Sequence, residues 1–344
     1  MPIYKSPLSN ENIFHSKSEI DIGRIVIEHP ESDIKKVKNI VSFPKFEHII
    51  KYFCRSFFQI ISVLILKRKK DISYIAFIPT GDMGDLIRFK NIMMGLIAMS
   101  PGVIIDVFWN KRKIYPIFKD IKNIRFYIHT SFINILKSHY DIIYKASVYC
   151  GTKAIFIRKG KELSDKVSNN LKEYKDKFQT AKHIMSLHRI TAGIEIIEDS
   201  SFSLSYEKQS LDKFSISKNM KYITFQQGAT DKGIINHTRC WSNENWNKLL
   251  LILRDKIDKR IFIVRVGLKN CGDIITISNF IDTVGKTSFN ELCSILKNSS
   301  LHIDIDGGCV HISRAIGTKS LVLFGPTSPE FIGYDENINI ISSA

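Results

Sequence analysis

The sequence predicts an α/β protein built from two Rossmann-like domains whose parallel sheets face a central cleft. Three observations predict it. Short strand-like runs rich in Ile, Val, Phe and Tyr alternate with amphipathic helical runs. The alternation restarts just after residue 220, and a polar, aperiodic stretch over residues 200–219 separates the two series. With 344 residues, 44% of them hydrophobic, the chain is long enough for two packed cores.

The expected division is an N-terminal extension over residues 1–70, a first domain over 71–205 and a second over 206–344. Within the extension, Gly23 to Glu28 reads as a strand. Phe46 to Lys70 becomes almost wholly apolar from Phe57 to Leu66, then meets Lys67, Arg68, Lys69 and Lys70. That run is shorter than the roughly 20 residues a bilayer span requires. It fits either a helix lying on an anionic membrane surface or a buried helix packed on the first domain.

In the first domain, Tyr74 to Ile78 is a buried-type strand followed by a Pro-Thr-Gly turn. The run GDMGDLIRFKNIMMGLIAM then places Leu86, Ile87, Ile92, Met93, Leu96 and Ile97 on one helical face. Val103 to Trp109 is the next strand, completing a βαβ unit. Ile124 to Ile128, Asp141 to Tyr144 and Ala154 to Ile157 are further short runs of this kind. A polar, lysine-rich helical stretch covers Glu162 to Arg189, and Asp141, His188 and the lysines from 161 to 177 read as surface.

In the second domain, Tyr222 to Phe225 is a strand and Ser242 caps the helix that follows. Ile261 to Val266 is a strand, and Ser288 with Glu291 forms a capping-box spacing for a helix to Lys297. His302 to Ile305 is a strand, Cys309 to Ile316 a helix and Ser320 to Phe324 a strand.

The net charge of +16 points to an acidic partner such as phosphates, nucleotides or an anionic membrane surface, unless the lysines merely solvate the exterior. The basic residues are not interleaved with aromatics on a recognisable module, so nucleic acid is not an expected partner. Six cysteines without a C-x-x-C pair argue against a zinc site or a disulfide framework and fit a reducing cytoplasm. The N-terminus lacks a charged-then-apolar leader pattern, so the expected location is cytoplasmic.

Chemistry concentrates in DGGCVHISRAIGTKSLVLFGPTSP, from Asp306 to Pro329. Gly307 and Gly308 lead from a strand end into a helix, where unpaired N–H groups and the helix dipole suit a diphosphate. Asp306 can accept from sugar hydroxyls, and His311 lies one turn into the helix. Asp306, Gly308, His311, Ala315, Gly317 and the Leu321–Pro329 run match in register a motif of the lipopolysaccharide heptosyltransferases, glycosyltransferase family 9, which the chain resembles over roughly residues 73–333. Gly307 stands where that family usually has a hydroxyl residue, and Lys319 replaces a proline. Two further stretches carry the resemblance. GDMGDLI (Gly81 to Ile87) resembles the first strand-to-helix turn, and TRCWSNENW (Thr238 to Trp246) a K-x-W-P-x-x-x-W segment, with Arg239 for lysine and Ser242 for proline.

The resemblance implies a GT-B fold and an inverting transfer of heptose, from ADP-heptose, onto lipopolysaccharide or another glycan. It implies Asp85 as general base, with Asp82 as an internal rival that more plainly orders the loop. Donor binding falls to Gly228, Thr230, Arg239, Asp306, Gly307, Gly308, His311 and Thr327. No metal or other cofactor is expected: the only D-x-D spelling, Asp304 to Asp306, sits at a strand end, where Asp304 should point away from the cleft. The nucleotide sugar is a substrate, and the anionic inner face of the cytoplasmic membrane is a candidate partner. The family usually continues past Gly-Pro-Thr into a helix that returns to the first domain, and the residues after Gly333 are too few for it. A catalytically silent relative that binds a glycan or a membrane is the alternative reading.

Overall fold

The computed structural model describes residues 57–109, 117–177, 181–195, 203–228, 230–231, 234–235, 239–268 and 272–341. The expected strand at Gly23 to Glu28 lies outside them. Residues 57–65 form helix α1. The first sheet contains β1 (Tyr74–Ile78), β2 (Ile104–Phe108), β3 (Ile124–Ile128), β4 (Ile142–Ser147) and β5 (Gly151–Phe156), in the order β3-β2-β1-β4-β5. Helix α2 (Met83–Met99) connects β1 to β2, and the short α3 (Ile133–Leu136) precedes β4. Because β1 is covered on both faces, it reads as an unbroken apolar run rather than an alternating one.

Strand β5 corrects the expectation of a further parallel strand. It pairs antiparallel to β4, from Ile142 opposite Phe156 to Ser147 opposite Gly151. Only Val148, Tyr149 and Cys150 link the two, far too few for the crossover that parallel pairing requires. The expected helix from Glu162 to Arg189 is two helices, α4 (Glu162–Glu173) and α5 (Ile184–Ala192). His183 caps the second by accepting from Met185 N–H, and Gly193 ends it at φ +66°.

The second sheet is wholly parallel. It contains β6 (Tyr222–Phe225), β9 (Phe262–Arg265), β10 (Phe280–Asp282), β11 (His302–Ile305), β12 (Ser320–Phe324) and β13 (Ile338–Ile341), ordered β10-β9-β6-β11-β12-β13. A separate two-stranded ribbon pairs β7 (Thr230–Asp231) with β8 (Ile234–Ile235). Helices α6 (Asn243–Lys256), α7 (Phe289–Asn298), α8 (Gly308–Ile316) and α9 (Pro329–Ile332) complete this half. Strands β10 and β13 were not expected. The first is three residues long, and the second follows a turn with no apolar alternation to announce it.

Residues from Ser56 onward form one compact unit. A continuous core runs from α2 and the first sheet, through α5, to α7, α8 and the second sheet. The other face of the first sheet is covered by α1, whose Ile60 and Val63 are buried against Tyr74, Phe108, Ile128 and Tyr140. Phe57, Phe58, Leu64 and Ile65 on α1 remain exposed.

Two residues read as surface are core. Asp141 is fully buried, accepts from Tyr74 N–H at 2.8 Å, and binds the Arg68 guanidinium at 2.6 Å through both carboxylate oxygens. Arg68 lies over the Tyr74 ring, so it is an anchor rather than one of four cations free for a membrane. His188 is buried against the Phe89 ring and pairs with Thr152 Oγ1 at 2.9 Å. Both lie next to apolar strands or helices, and their partners are dozens of residues away, beyond the reach of local pattern.

Candidate active site between two helix N-termini

The first wall is the turn from β1 into α2. Thr80 Oγ1 donates to the Ala146 carbonyl at 2.8 Å, tying the turn to β4. Gly81 sits at φ +89°, where a Cβ would collide with the Asp85 carboxylate. Asp82 is the N-cap of α2 and Asp85 its third residue, and they form a reciprocal capping box in which Asp82 N–H donates to Asp85 Oδ2 at 2.9 Å. Asp85 Oδ1 accepts from Arg88 Nη2. An ionised carboxylate has about four acceptor positions, so two remain on Asp85 for another proton donor.

The second wall is the turn from β11 into α8. Asp304 lies within β11 and Asp306 just past its end, and the two carboxylates have different partners. Asp304 is fully buried, accepts from Ile305 N–H at 2.8 Å and faces His302 Nε2 at 3.2 Å, and burial holds its carboxyl up to about 6 against the opposing pull of His302. Asp306 Oδ2 instead meets Arg239 Nη2 at 3.0 Å and accepts from Thr327 Oγ1 at 2.9 Å. Arg239 also donates to the Asp306 carbonyl. Gly307 is the N-cap of α8 and supplies no side-chain acceptor for its first turn. Gln226 donates to the Gly228 carbonyl at 2.8 Å, and its amide nitrogen would lie 3.5 Å from a Cβ on Gly307. The 226–228 loop therefore flanks the start of α8. Thr230 is placed by its backbone alone, opposite Ile235 in the ribbon.

The two walls touch. A Cβ on Gly84 would fall 2.5 Å from His311 Cδ2 and 3.2 Å from Gly308 Cα. Glycine at position 84 is what lets the start of α2 rest on the start of α8. His311 is buried, and its Nδ1 pairs with Tyr334 Oη at 2.6 Å. Burial pushes the imidazole far below its usual range, and the charges of Arg88 and Arg239 push it further, so it is neutral near pH 7.

The expected site residues thus fall into three groups. Gly308 and His311 meet Gly84 at the helix contact, and Asp85 is the next residue along α2. Arg239, Asp306 and Thr327 form one hydrogen-bonded cluster beside it, and Gly228 approaches Gly307 through Gln226. Arg88 and Tyr334 were not singled out, whereas Gln226 opens the stretch to Gly233 that the family resemblance assigns to the donor loop. Arg88 carried a signal, since it follows Asp85 by three positions and Gly84 by four and so shares their helix face. Tyr334 carried none, because its partner His311 is 23 residues away.

Among the described residues one group has metal-ligand character: His302, Asp304 and Cys309, whose donor atoms lie within 4.8 Å of one another. His302 and Asp304 bond to each other, Thr224 Oγ1 occupies His302 Nδ1 at 3.0 Å, and burial pushes the Cys309 thiol well up. Thr224, His302 and Asp304 thus form a hydrogen-bonded strip, with the Cys309 thiol beside it.

Known proteins share this fold. The model of glycosyltransferase family 9 (heptosyltransferase) matches residues 167–344. Lipopolysaccharide heptosyltransferase 1 of Salmonella typhimurium is 25% identical over 148 residues, covering 39% of this chain and 45% of the relative, so the match spans under half the relative's length. Among solved structures, ADP-heptose lipopolysaccharide heptosyltransferase II of E. coli superposes with a TM-score of 0.50 at 14% identity, covering 78% of this chain and 90% of that one. The dodecameric iron-containing heptosyltransferase TibC in complex with ADP-D-beta-D-heptose superposes with a TM-score of 0.56 at 13% identity, covering 80% of this chain and 64% of that one. At such identities the superpositions speak for the fold, which is GT-B. The family match covers more than half of the sequence and includes the whole second wall of the site: the chain belongs to glycosyltransferase family 9, the heptosyltransferase family.

Proposed function

We propose that the chain transfers heptose from ADP-heptose, with inversion, onto a hydroxyl of lipopolysaccharide or another glycan. The observation that carries this reading is the contact of two helix N-termini at Gly84, Gly308 and His311: a carboxylate stands on one, and the other has no side-chain cap. Residues 71–205 serve as the acceptor side and residues 206–344 as the donor side. Asp85 takes the proton of the acceptor hydroxyl as its oxygen bonds to the anomeric carbon of the sugar. The bond from that carbon to the diphosphate oxygen breaks, and its electron pair leaves with the diphosphate. The α8 N–H groups and Arg239 meet the growing negative charge, Asp306 and Thr327 hold Arg239 and the donor sugar in place, and the 226–228 loop, with Thr230, flanks the nucleotide. These groups supply the charge stabilisation without a metal ion, so transfer is proposed to be metal-independent.

Location at the inner face of the membrane belongs to the same proposal. No helix of the described residues is long and apolar enough to cross a bilayer. The outer side of α1 offers Phe57, Phe58, Leu64 and Ile65, next to the exposed Lys67, Lys69 and Lys70. Each such cation adds about 1 kcal/mol at an anionic surface.

A silent binding protein is the second reading. It is favoured by Gly307 and by the two bonds that already engage Asp85. A thermal-shift panel of nucleotides and nucleotide sugars, followed by a turnover assay with the best binder, separates the two. Stabilisation by ADP or ADP-heptose with release of ADP in the presence of a glycan supports transfer. Stabilisation without turnover supports the silent protein, and no stabilisation by any nucleotide overturns the donor site.

A further inference from the structure

Arg88 is the one charged residue on the inner face of α2 whose partners do not account for it. Its side chain is 4% exposed, and it lies one turn beyond Gly84 on the face that meets α8. Nη2 goes to Asp85, while Nε and Nη1 have no hydrogen-bond partner among the described residues. A guanidinium cannot shed its charge, so N–H groups left unpaired out of water are a standing cost. Apart from Asp85, the groups that feel its charge do not neutralise it: His183, His188 and His311 are all pushed down by burial first and then by Arg88, and the Tyr334 hydroxyl is pushed up by burial. Just before α8, Arg239 is held by Asp306 through Nη2, and among the described residues its Nε is likewise unpartnered. Two arginines from the two halves of the chain therefore both act on His311 in the first turn of α8, a helix start that no side chain caps.

We propose that Arg88 is a second arm of the anion site: its Nε–Nη1 edge binds a phosphate oxygen of the substrate while Nη2 keeps its hold on Asp85. A planar guanidinium can present separate edges to two acceptors at once, which an ammonium cannot do with fixed geometry. Arg88 then acts as a positioning residue for Asp85, setting the carboxylate when the anion is in place. The inference rests on the transferase reading for the role of Asp85, but the anion site stands on Arg88 itself. The phosphate oxygen can come from the donor diphosphate or from a phosphate on the acceptor.

The test uses the full chain with Arg88→Lys and Arg88→Met. ADP is titrated by calorimetry into each protein, inorganic phosphate is titrated into each protein with and without saturating ADP, and melting temperatures are recorded. A loss of about tenfold or more in ADP affinity in Arg88→Lys supports the inference and assigns the donor diphosphate. Unchanged ADP affinity, with phosphate binding to the ADP-saturated protein weakened about tenfold, supports it and assigns a phosphate from the acceptor. Should both titrations match wild type in Arg88→Lys, the inference is overturned, whatever the melting temperatures show. Should Arg88→Met fail to fold, Arg88→Lys alone decides. If wild type binds no ADP, the transferase reading fails, and the phosphate titration into free protein still decides whether Arg88 holds an anion.

Discussion

Helices α2 and α8 begin within contact of each other, and their first turns are built in opposite ways. The start of α2 carries two carboxylates that satisfy each other's backbone, while the start of α8 carries Gly307 and Gly308 and no side-chain cap. The second half does not avoid caps in general: Ser242 accepts from Asn245 N–H at 3.2 Å to start α6, and Ser288 accepts from Glu291 N–H at 3.3 Å to start α7. One helix end uses its dipole to hold a carboxylate in place, and the other leaves its first N–H groups without a side-chain cap. The same local chemistry thus gives a proposed base on one wall and a proposed anion seat on the other.

The largest effect should come from neutralising the capped end. Asp85→Asn is expected to slow transfer by about 100-fold or more while leaving ADP affinity within about twofold. Asp82→Asn should be close to wild type, because asparagine caps as well as aspartate. Steady-state rates on both variants check this, and the reverse ranking would move the base to Asp82.

Forcing the two ends apart comes next. Gly84→Ala places a methyl against the His311 ring and Gly308, an overpacking that costs about 1–3 kcal/mol. Denaturant unfolding and ADP titration should both register it. If neither changes, the helices part without penalty and the contact is incidental.

Arg239→Ala should weaken ADP binding by about tenfold, the scale of one charge-assisted contact. Arg239→Lys should recover part of that loss, since charge returns without the fork. Unchanged affinity would leave Arg239 with only its structural bonds to Asp306.

Acid should loosen the inner face of α2. His188 is pushed down to about 4, first by burial and then by Arg88. Its folded pKa lies below the unfolded value of about 6.5, so its contribution to stability is complete above pH 6.5 and is lost as pH falls toward 4. Between pH 6.5 and 5.5 the loss approaches 1 kcal/mol for this group. Melting temperature against pH should show the slope, and His188→Gln should remove part of it.

The smallest effect should come from capping the bare end. Gly307 has extended backbone, and a Cβ there meets neighbours no closer than 3.4 Å, so Gly307→Ser fits without strain. Stability should rise by a few tenths of a kcal/mol, as for other Gly-to-Ser caps. The variant tests the comparison most directly: a fall in ADP affinity means the hydroxyl competes with the ligand, whereas a rise means it joins the site.

Much of this architecture was legible in the residues. Buried strands of a parallel sheet spell largely apolar runs, so β1, β6, β9 and β12 stood out, and the Ser288–Glu291 box marked the start of α7. Asp306, Gly308 and Arg239 were legible because the motif around them is local. The antiparallel β5, the edge strand β13 and the burial of Asp141 and His188 were not, since each depends on a partner distant in sequence.

By itself, then, the sequence determined the α/β alternation, the family and the identity of the residues at each turn, because those follow from periodicity and local backbone chemistry. Only the tertiary structure decided that Gly84 rests on His311, that Arg88 is buried with part of its guanidinium unpaired, and that Arg68 is tied to Asp141 rather than free. Those facts are contacts between segments dozens to hundreds of residues apart. They are set by how sheets and helices pack, and the spacing of residues along a chain carries no record of which distant side chain will arrive beside them.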